Sequence, residues 1–130
     1  MEQKTSVKIV VATHKKYRMP EDEMYIPLLV GAEGKECDFG YQRDDTGDNI
    51  SAKNSSFCEL TGLYWAWKNV DADYIGLVHY RRHFVCKKNK DIWKCVLTYQ
   101  DIEPYLKSKD IFIYPCFYIY INMCCNNHFF

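Results

Sequence analysis

The stretch His79-Tyr80-Arg81-Arg82-His83 concentrates the chemistry of this chain. It follows the apolar run Tyr74-Ile75-Gly76-Leu77-Val78 without an intervening polar residue. That pattern reads as a buried strand with a cationic cluster at its C-terminal end. In open α/β sheets ligands bind at the carboxyl ends of the strands. Two arginines and two histidines there suit an anionic group, above all a phosphate. The plain alternative is a strand running into a solvated basic turn. The H-x3-H spacing of His79 and His83 would align two zinc ligands on a helix, but a strand end does not. Alternation along a strand puts His79 and Arg81 on one face and Tyr80 and Arg82 on the other.

Three further constellations could take part. Thr13-His14-Lys15-Lys16 follows the β-branched run Val7–Ala12. A polar, basic loop after a first buried strand is where α/β folds place nucleotide phosphates. Neither GxGxxG nor GxxxxGK[ST] is present. Arg43-Asp44-Asp45-Thr46-Gly47-Asp48-Asn49 offers three carboxylates for a divalent metal or sugar hydroxyls, although its spacing is not that of a calcium loop. Asx and Gly residues also build ordinary turns. Lys53, Asn54 and Glu59 flank an expected helix start, whose free N–H groups suit an anion. Glu59 could equally do no more than cap that helix.

The elements that must position these residues follow from periodicity. Val7–Ala12, Tyr25–Ala32, Tyr74–Val78 and Ile111–Tyr114 have strand character. Pro27 places the second of these at a sheet edge or near the start of a short strand. Ser56-Phe57-Cys58-Glu59 matches a capping box, predicting a helix from there to about Asn69. Phe57, Leu60, Tyr64 and Trp67 recur at helical spacing, and the aromatic stripe Phe57, Tyr64, Trp65 and Trp67 reads as core. A second helix is predicted from about Leu97 to Lys107, with Pro104 in its first turns. The polar segment between residues 33 and 55 is long for a compact domain, which marks it as functional or disordered. The alternation argues for an α/β sheet.

With 130 residues the chain suffices for one domain with a real core. Lys plus Arg and Asp plus Glu are balanced at 17 each, so net charge gives no reason to expect a nucleic-acid partner. Aromatic residues make up 16% and include eleven tyrosines, while Gly and Pro are sparse, which argues against disorder. Seven cysteines stand at irregular spacing without a CxxC pair. Met1–Lys8 lacks the apolar core of a signal peptide. Reduced thiols in a cytoplasmic protein are the expectation. The end of the chain, 111–130, is apolar and aromatic, is interrupted by Pro115, and falls short of the roughly 20 apolar residues of a membrane helix.

Taken together, Lys8–Lys15, Tyr25–Ala32, Arg43–Ser51, Phe57–Asn69 and Ile75–Phe84 resemble the bacterial capsular and exopolysaccharide biosynthesis glycosyltransferases long catalogued as a domain of unknown function. The resemblance covers residues 7 to 114. It implies a partial GT-A-like, Rossmann-like, nucleotide-sugar-binding sheet flanked by helices and truncated at the C-terminus. Residues 1–114 would be the N-terminal portion of a glycosyltransferase domain. Residues 115–130 would be a divergent hydrophobic tail, of the kind a shifted reading frame produces. The implied reaction is sugar transfer from a nucleotide-sugar donor to a glycan or lipid-linked acceptor, at the inner face of the membrane. Where GT-A enzymes carry a metal-binding Asp-x-Asp, this chain reads His79-Tyr80-Arg81, so a divalent metal is not indicated by motif. Asp44, Asp45, His79, Arg81 and Arg82 are the expected catalytic set. Thr13, His14, Lys15, Asn49, Lys53, Asn54 and Glu59 are expected to hold the donor. The alternative is an inactive nucleotide- or phosphate-binding remnant without the acceptor half; a third reading is an interaction module displaying the aromatic tail.

Overall fold

Parallel pairing of largely buried strands organises the molecule. The computed structural model describes residues 3–37, 39–86 and 90–108, and the backbone of 113–114 and 118–119. Strand β1 (Val7–Thr13) is buried at six of its seven positions, as a strand covered on both faces must be. β2 (Tyr25–Leu29) and β4 (Tyr74–His79) flank it, both parallel to it, with Ala12 opposite Leu28 on one side and His79 on the other. The short β3 (Gln42–Arg43) pairs with Leu28 and Leu29, giving the order β3-β2-β1-β4. Pro27 is tolerated because β3 does not reach it. At the N-terminal end, Asp73 accepts from the Ser6 N–H (2.7 Å) and hydroxyl (2.9 Å), and the Asp73 N–H donates back to that hydroxyl. This clamp aligns the starts of β1 and β4.

The two sheet faces carry separate cores. On one, Val10, Ala12, Leu28, Val30, Ile75 and Leu77 pack under Trp65 and Ala66 of helix α2 (Leu60–Asn69). On the other, Val7, Ile9, Val11, Tyr25 and Val78 pack with Tyr80, Phe84, Leu97, Ile102 and Leu106. Helix α3 (Tyr99–Ile102) supplies Ile102 to this second layer.

The helices depart from the sequence pattern in three ways. The Ser56–Glu59 capping box does not form. Instead α1 (Asn54–Phe57) closes at Cys58, whose φ of 49° breaks the helix before α2 begins. The box forms at Thr98–Asp101, where the Asp101 carboxylate accepts from the Thr98 N–H at 2.9 Å and hydroxyl at 2.7 Å. Beyond it, Pro104 does not continue the helix to Lys107; residues Glu103–Tyr105 tighten into a 3-10 turn. The buried face of α2 is Thr61, Gly62, Trp65 and Ala66. Phe57 and Trp67 are each 46% exposed, so of the expected aromatic core stripe only Trp65 is buried. The break at Cys58 separates Phe57 from the register of α2, and Lys68 covers Trp67 with its ammonium 3.8 Å from the ring centroid.

The described residues of the long polar segment are tied down by hydrogen bonds. Arg43 donates to the carbonyls of Ala32, Lys35 and Cys37. Helix α2 holds the far end: Trp65 Nε1 donates to the Thr46 hydroxyl, the Tyr64 hydroxyl donates to Asp48, and Asn69 donates to the Asp48 carbonyl. The strand expected over 111–114 appears as β5 (Ile113–Tyr114), antiparallel to β6 (Tyr118–Ile119). The rest of the apolar tail lies outside the described residues.

Gly62 is where α2 touches the sheet. A Cβ there would lie 2.9 Å from Val30 and 3.0 Å from Leu28. Gly62→Ala is therefore expected to destabilise the protein by about 1–3 kcal/mol through overpacking, despite alanine's better helix propensity. Urea unfolding of the variant checks this.

Candidate functional site

Strand order creates the site. From β1 the chain steps outward to β2 and β3, then returns to the opposite side of β1 as β4. The loops leaving β1 and β4 therefore diverge, and the crevice between them is the topological switch point of the sheet.

The sequence fills this crevice with cations. After β1, the Thr13 hydroxyl donates to the Lys15 carbonyl (2.6 Å) and accepts from the Lys15 N–H (3.2 Å). That tight turn leaves His14, Lys15 and Lys16 exposed. After β4, the Tyr80 N–H extends the ladder to the Ala12 carbonyl (3.0 Å), and the Arg82 N–H closes a turn on the His79 carbonyl (2.8 Å). Arg81 and Arg82 project from this turn, both exposed.

Tyr80 is the hub, with only 2% of its surface exposed. His14 and Tyr17 meet its ring edge-on at centroid distances of 5.4 and 5.0 Å. The Lys15 ammonium and the Arg81 guanidinium lie 5.4 and 5.3 Å from its centroid, within cation–π range. One aromatic ring thus gathers basic groups from both loops. Among the described residues no carboxylate lies within salt-bridge distance of Lys15 or Arg81.

His79 faces the α2 side. Its Nδ1 accepts from the Arg81 N–H (3.2 Å), so the neutral ring carries its proton on Nε2. Nε2 stands 3.8 Å from Oε1 of Glu59, the residue preceding α2. Burial pushes the His79 pKa below the usual histidine value; Glu59 opposes this, and Arg81, Arg82 and His14 reinforce it. His79 is therefore neutral at pH 7.

His83 does not join the cluster. It is 3% exposed, turned into the core against Trp93 at 5.1 Å, and neither ring nitrogen has a hydrogen-bond partner. Burial depresses its pKa; the Tyr80 carbonyl favours the charged form without completing a hydrogen bond.

The acidic residues of the sequence motif serve the fold. Asp44 is completely buried. Its carboxylate accepts from the N–H groups of Gly31 (2.8 Å) and Ala32 (2.9 Å) and the hydroxyls of Ser51 (2.6 Å) and Thr61 (2.7 Å). Contrary to the sequence expectation, it has no face left for a sugar or a metal. It ties the end of β2 to the first turn of α2, and so helps to position Glu59. Asp45 pairs with Arg43 through two hydrogen bonds of 3.1 and 2.8 Å, and that guanidinium holds its pKa below the ordinary value. Both stand beside β3, three strands from β4, or about 14 Å at ordinary strand spacing. They are not brought together with Arg81 and Arg82. Asn49 closes an Asx turn on the Ser51 N–H (3.1 Å), and Asn54 donates to the Cys58 carbonyl and the Thr61 hydroxyl. Lys53 is exposed at the end of the turn Ser51–Lys53. Thr13, His14, Lys15, His79, Arg81, Arg82 and Glu59 are the residues the structure gathers. Tyr17 and Tyr80 join them as aromatic partners, a role that only the surrounding cations could have signalled.

The donor set of the crevice is nitrogen-rich. A hard divalent cation prefers several carboxylate or carbonyl oxygens, and Glu59 is the carboxylate placed beside His79. Among the described residues no group of three or more His, Cys, Asp and Glu side chains is arranged to hold a metal ion. No helix among them is long and apolar enough to cross a membrane.

Fold and site together define an α/β protein with a partial GT-A-like sheet and a cationic crevice at its switch point. The family model described as Domain of unknown function (DUF4422) matches residues 8–129, and the chain belongs to that family. Among solved structures it is similar to the apo structure of the WbbM bifunctional glycosyltransferase, with 35% identity and a TM-score of 0.70. The similarity covers 82% of this chain and 22% of that one, so the chain spans about a fifth of that protein's length. A search of curated proteins finds no match.

Two outcomes test the assignments of buried groups. Asp44→Ala removes the acceptor of four donors, two of them backbone N–H groups, and should cost about 3 kcal/mol or more in urea unfolding. For His83, the unfolded chain binds a proton near pH 6.5 and the folded chain only at lower pH. Its stability is thus complete above that value and falls as pH drops from there through the depressed folded pKa. His83→Phe should flatten this acid-side loss in thermal melts between pH 7 and pH 5.

Proposed function

We propose that the chain is the donor-binding part of a glycosyltransferase, holding a nucleotide-sugar at the carboxyl ends of β1 and β4. The observation that carries this reading is the switch-point crevice, where Lys15 and Arg81 converge on one tyrosine and Arg82 leaves the same turn. The likeness to a solved bifunctional glycosyltransferase supports it.

On this reading Arg81 and Arg82 contact the donor diphosphate. Their fixed positive charge stabilises the negative charge that grows on the leaving nucleoside diphosphate as the sugar–oxygen bond breaks. Arginine's planar fork can engage two phosphate oxygens at once. Lys15 adds a point charge from the β1 loop, while Thr13 shapes that loop rather than touching ligand. Neutral His79 offers its Nε2–H as a donor without adding charge, and Glu59 keeps that ring oriented. The acceptor is a glycan or a lipid-linked sugar, in polysaccharide biosynthesis at the cytoplasmic side of a membrane.

A second reading has a specific observation behind it. Asp44 and Asp45, the carboxylates expected to take part in chemistry, are engaged in the fold. A nucleotide-diphosphate-binding part that does not itself catalyse transfer fits that fact. Calorimetry with uridine and guanosine diphosphates, run beside a donor-hydrolysis assay, separates the two: binding with turnover supports the transferase, and binding alone supports the second reading. Under both, Arg81→Ala with Arg82→Ala removes two charge-assisted contacts of about 1.5 kcal/mol each, an affinity loss of about 100-fold. Unchanged affinity in the double variant would exclude both.

A further inference from the structure

The loop after β1 carries an aromatic residue whose backbone is fixed and whose ring is open. Tyr17 lies two residues beyond Lys15, and 42% of its surface is exposed. The Tyr41 hydroxyl accepts from the Tyr17 N–H (3.2 Å) and donates to the Tyr17 carbonyl (2.8 Å). Tyr41 stands immediately before β3 and rests against Phe39, with ring centroids 5.9 Å apart. One phenol thus satisfies both polar backbone groups of an exposed loop residue. The Tyr17 ring meets the buried Tyr80 at 5.0 Å and 68°. A T-shaped contact of this kind leaves at least one face of Tyr17 uncovered. Among the described residues no other ring and no cation stands against it, and its hydroxyl has no hydrogen-bond partner.

The two sides of the crevice differ in kind. Successive residues of a strand face opposite ways, and the Tyr80 N–H carries the β4 ladder on to Ala12. His79 therefore faces the α2 side, beside Glu59, and Tyr80 the opposite side, beside Tyr17. Lys15 and Arg81 converge on Tyr80 itself. A hydroxyl-rich group finds a donor and an acceptor on the His79–Glu59 side. A flat aromatic group finds an open ring on the Tyr17 side.

We propose that the nucleobase of the donor stacks on Tyr17, so that the nucleotide-sugar lies with its base on the Tyr17 side of the crevice and its sugar toward His79 and Glu59. The inference rests on the reading of the crevice as a nucleotide-sugar site, and it adds the direction in which the donor lies. One ribose joins base to diphosphate, and one residue joins Tyr17 to Lys15, so the stack and the phosphate contact fit a single ligand. Fixing the Tyr17 backbone beforehand reduces the freedom lost when ligand binds. Every base has a π-face, so Tyr17 supplies affinity rather than a choice between bases.

The test is calorimetry of the wild-type chain, Tyr17→Ala and Tyr17→Phe with uridine diphosphate and with inorganic pyrophosphate. Tyr17→Ala should weaken uridine diphosphate by about 10-fold and leave pyrophosphate unchanged. Tyr17→Phe, which keeps the ring, should bind both ligands as the wild type does. Undiminished uridine diphosphate affinity in Tyr17→Ala overturns the inference and leaves the diphosphate site standing. Equal loss of both ligands also overturns it, because Tyr17 would then support the loop rather than the base. A wild-type chain that binds neither ligand overturns the underlying reading as well. Saturation-transfer NMR of uridine diphosphate with the wild-type chain decides the matter even if a variant folds poorly. The uracil ring protons should receive the strongest saturation, and strongest saturation at the ribose would contradict the stack.

Discussion

The parallel pairing of β1 with β4 is the constraint on which the rest depends. It sets Ala12 beside His79, so the loops that leave these strands start from neighbouring points and then part. Everything cationic in the site follows from that adjacency. The Ser6–Asp73 clamp fixes the register at one end, and the Tyr80 N–H bond to Ala12 carries it past the last strand residue at the other. A slip of one residue would reverse the faces of His79 and Tyr80, sending the tyrosine away from His14, Tyr17 and Lys15.

Burial divides the titratable groups into two kinds. Asp44 and His83 are both inside, but Asp44 is saturated with donors while His83 has none. The first binds elements together; the second weighs against stability in acid. In the crevice, Tyr80 provides an aromatic face where Lys15 and Arg81 can approach each other without a carboxylate between them. Like charges held close are costly in an empty site and favourable once a multivalent anion enters, which is the electrostatic signature expected of a diphosphate site.

Much of the architecture was legible in the residues. The strands expected at 7–12, 25–32 and 74–78 show as continuous apolar runs because parallel strands are buried on both faces, although the second ends at Leu29. The end of α2 at Asn69 and the basic turn after β4 were equally plain. The α2 start was not, because a local S-x-x-E match competes with Cys58 in a left-handed conformation that only the tertiary structure enforces. The second helix start, expected at Leu97–Asp101, is met by the capping box at Thr98–Asp101, but the helix gives way to a 3-10 turn at Glu103–Tyr105 instead of reaching Lys107. The role of Asp44 was misleading for a related reason: its partners lie up to 17 residues away, and no local spacing shows that carboxylate being consumed, whereas Asp45 is taken up by Arg43 only two residues before it. The apolar stripe Phe57, Leu60, Tyr64 and Trp67 followed the helical period but fell outside the buried face, which is Thr61, Gly62, Trp65 and Ala66, with Gly62 making the close approach to Leu28 and Val30.

The account rests on anion binding between β1 and β4. Its most direct measurement is amide chemical-shift mapping during titration with uridine diphosphate. The account predicts shifts concentrated at residues 14–17 and 79–82, with the 44–49 segment unmoved. Shifts concentrated at 44–49, or none at either turn at saturating nucleotide, would contradict it.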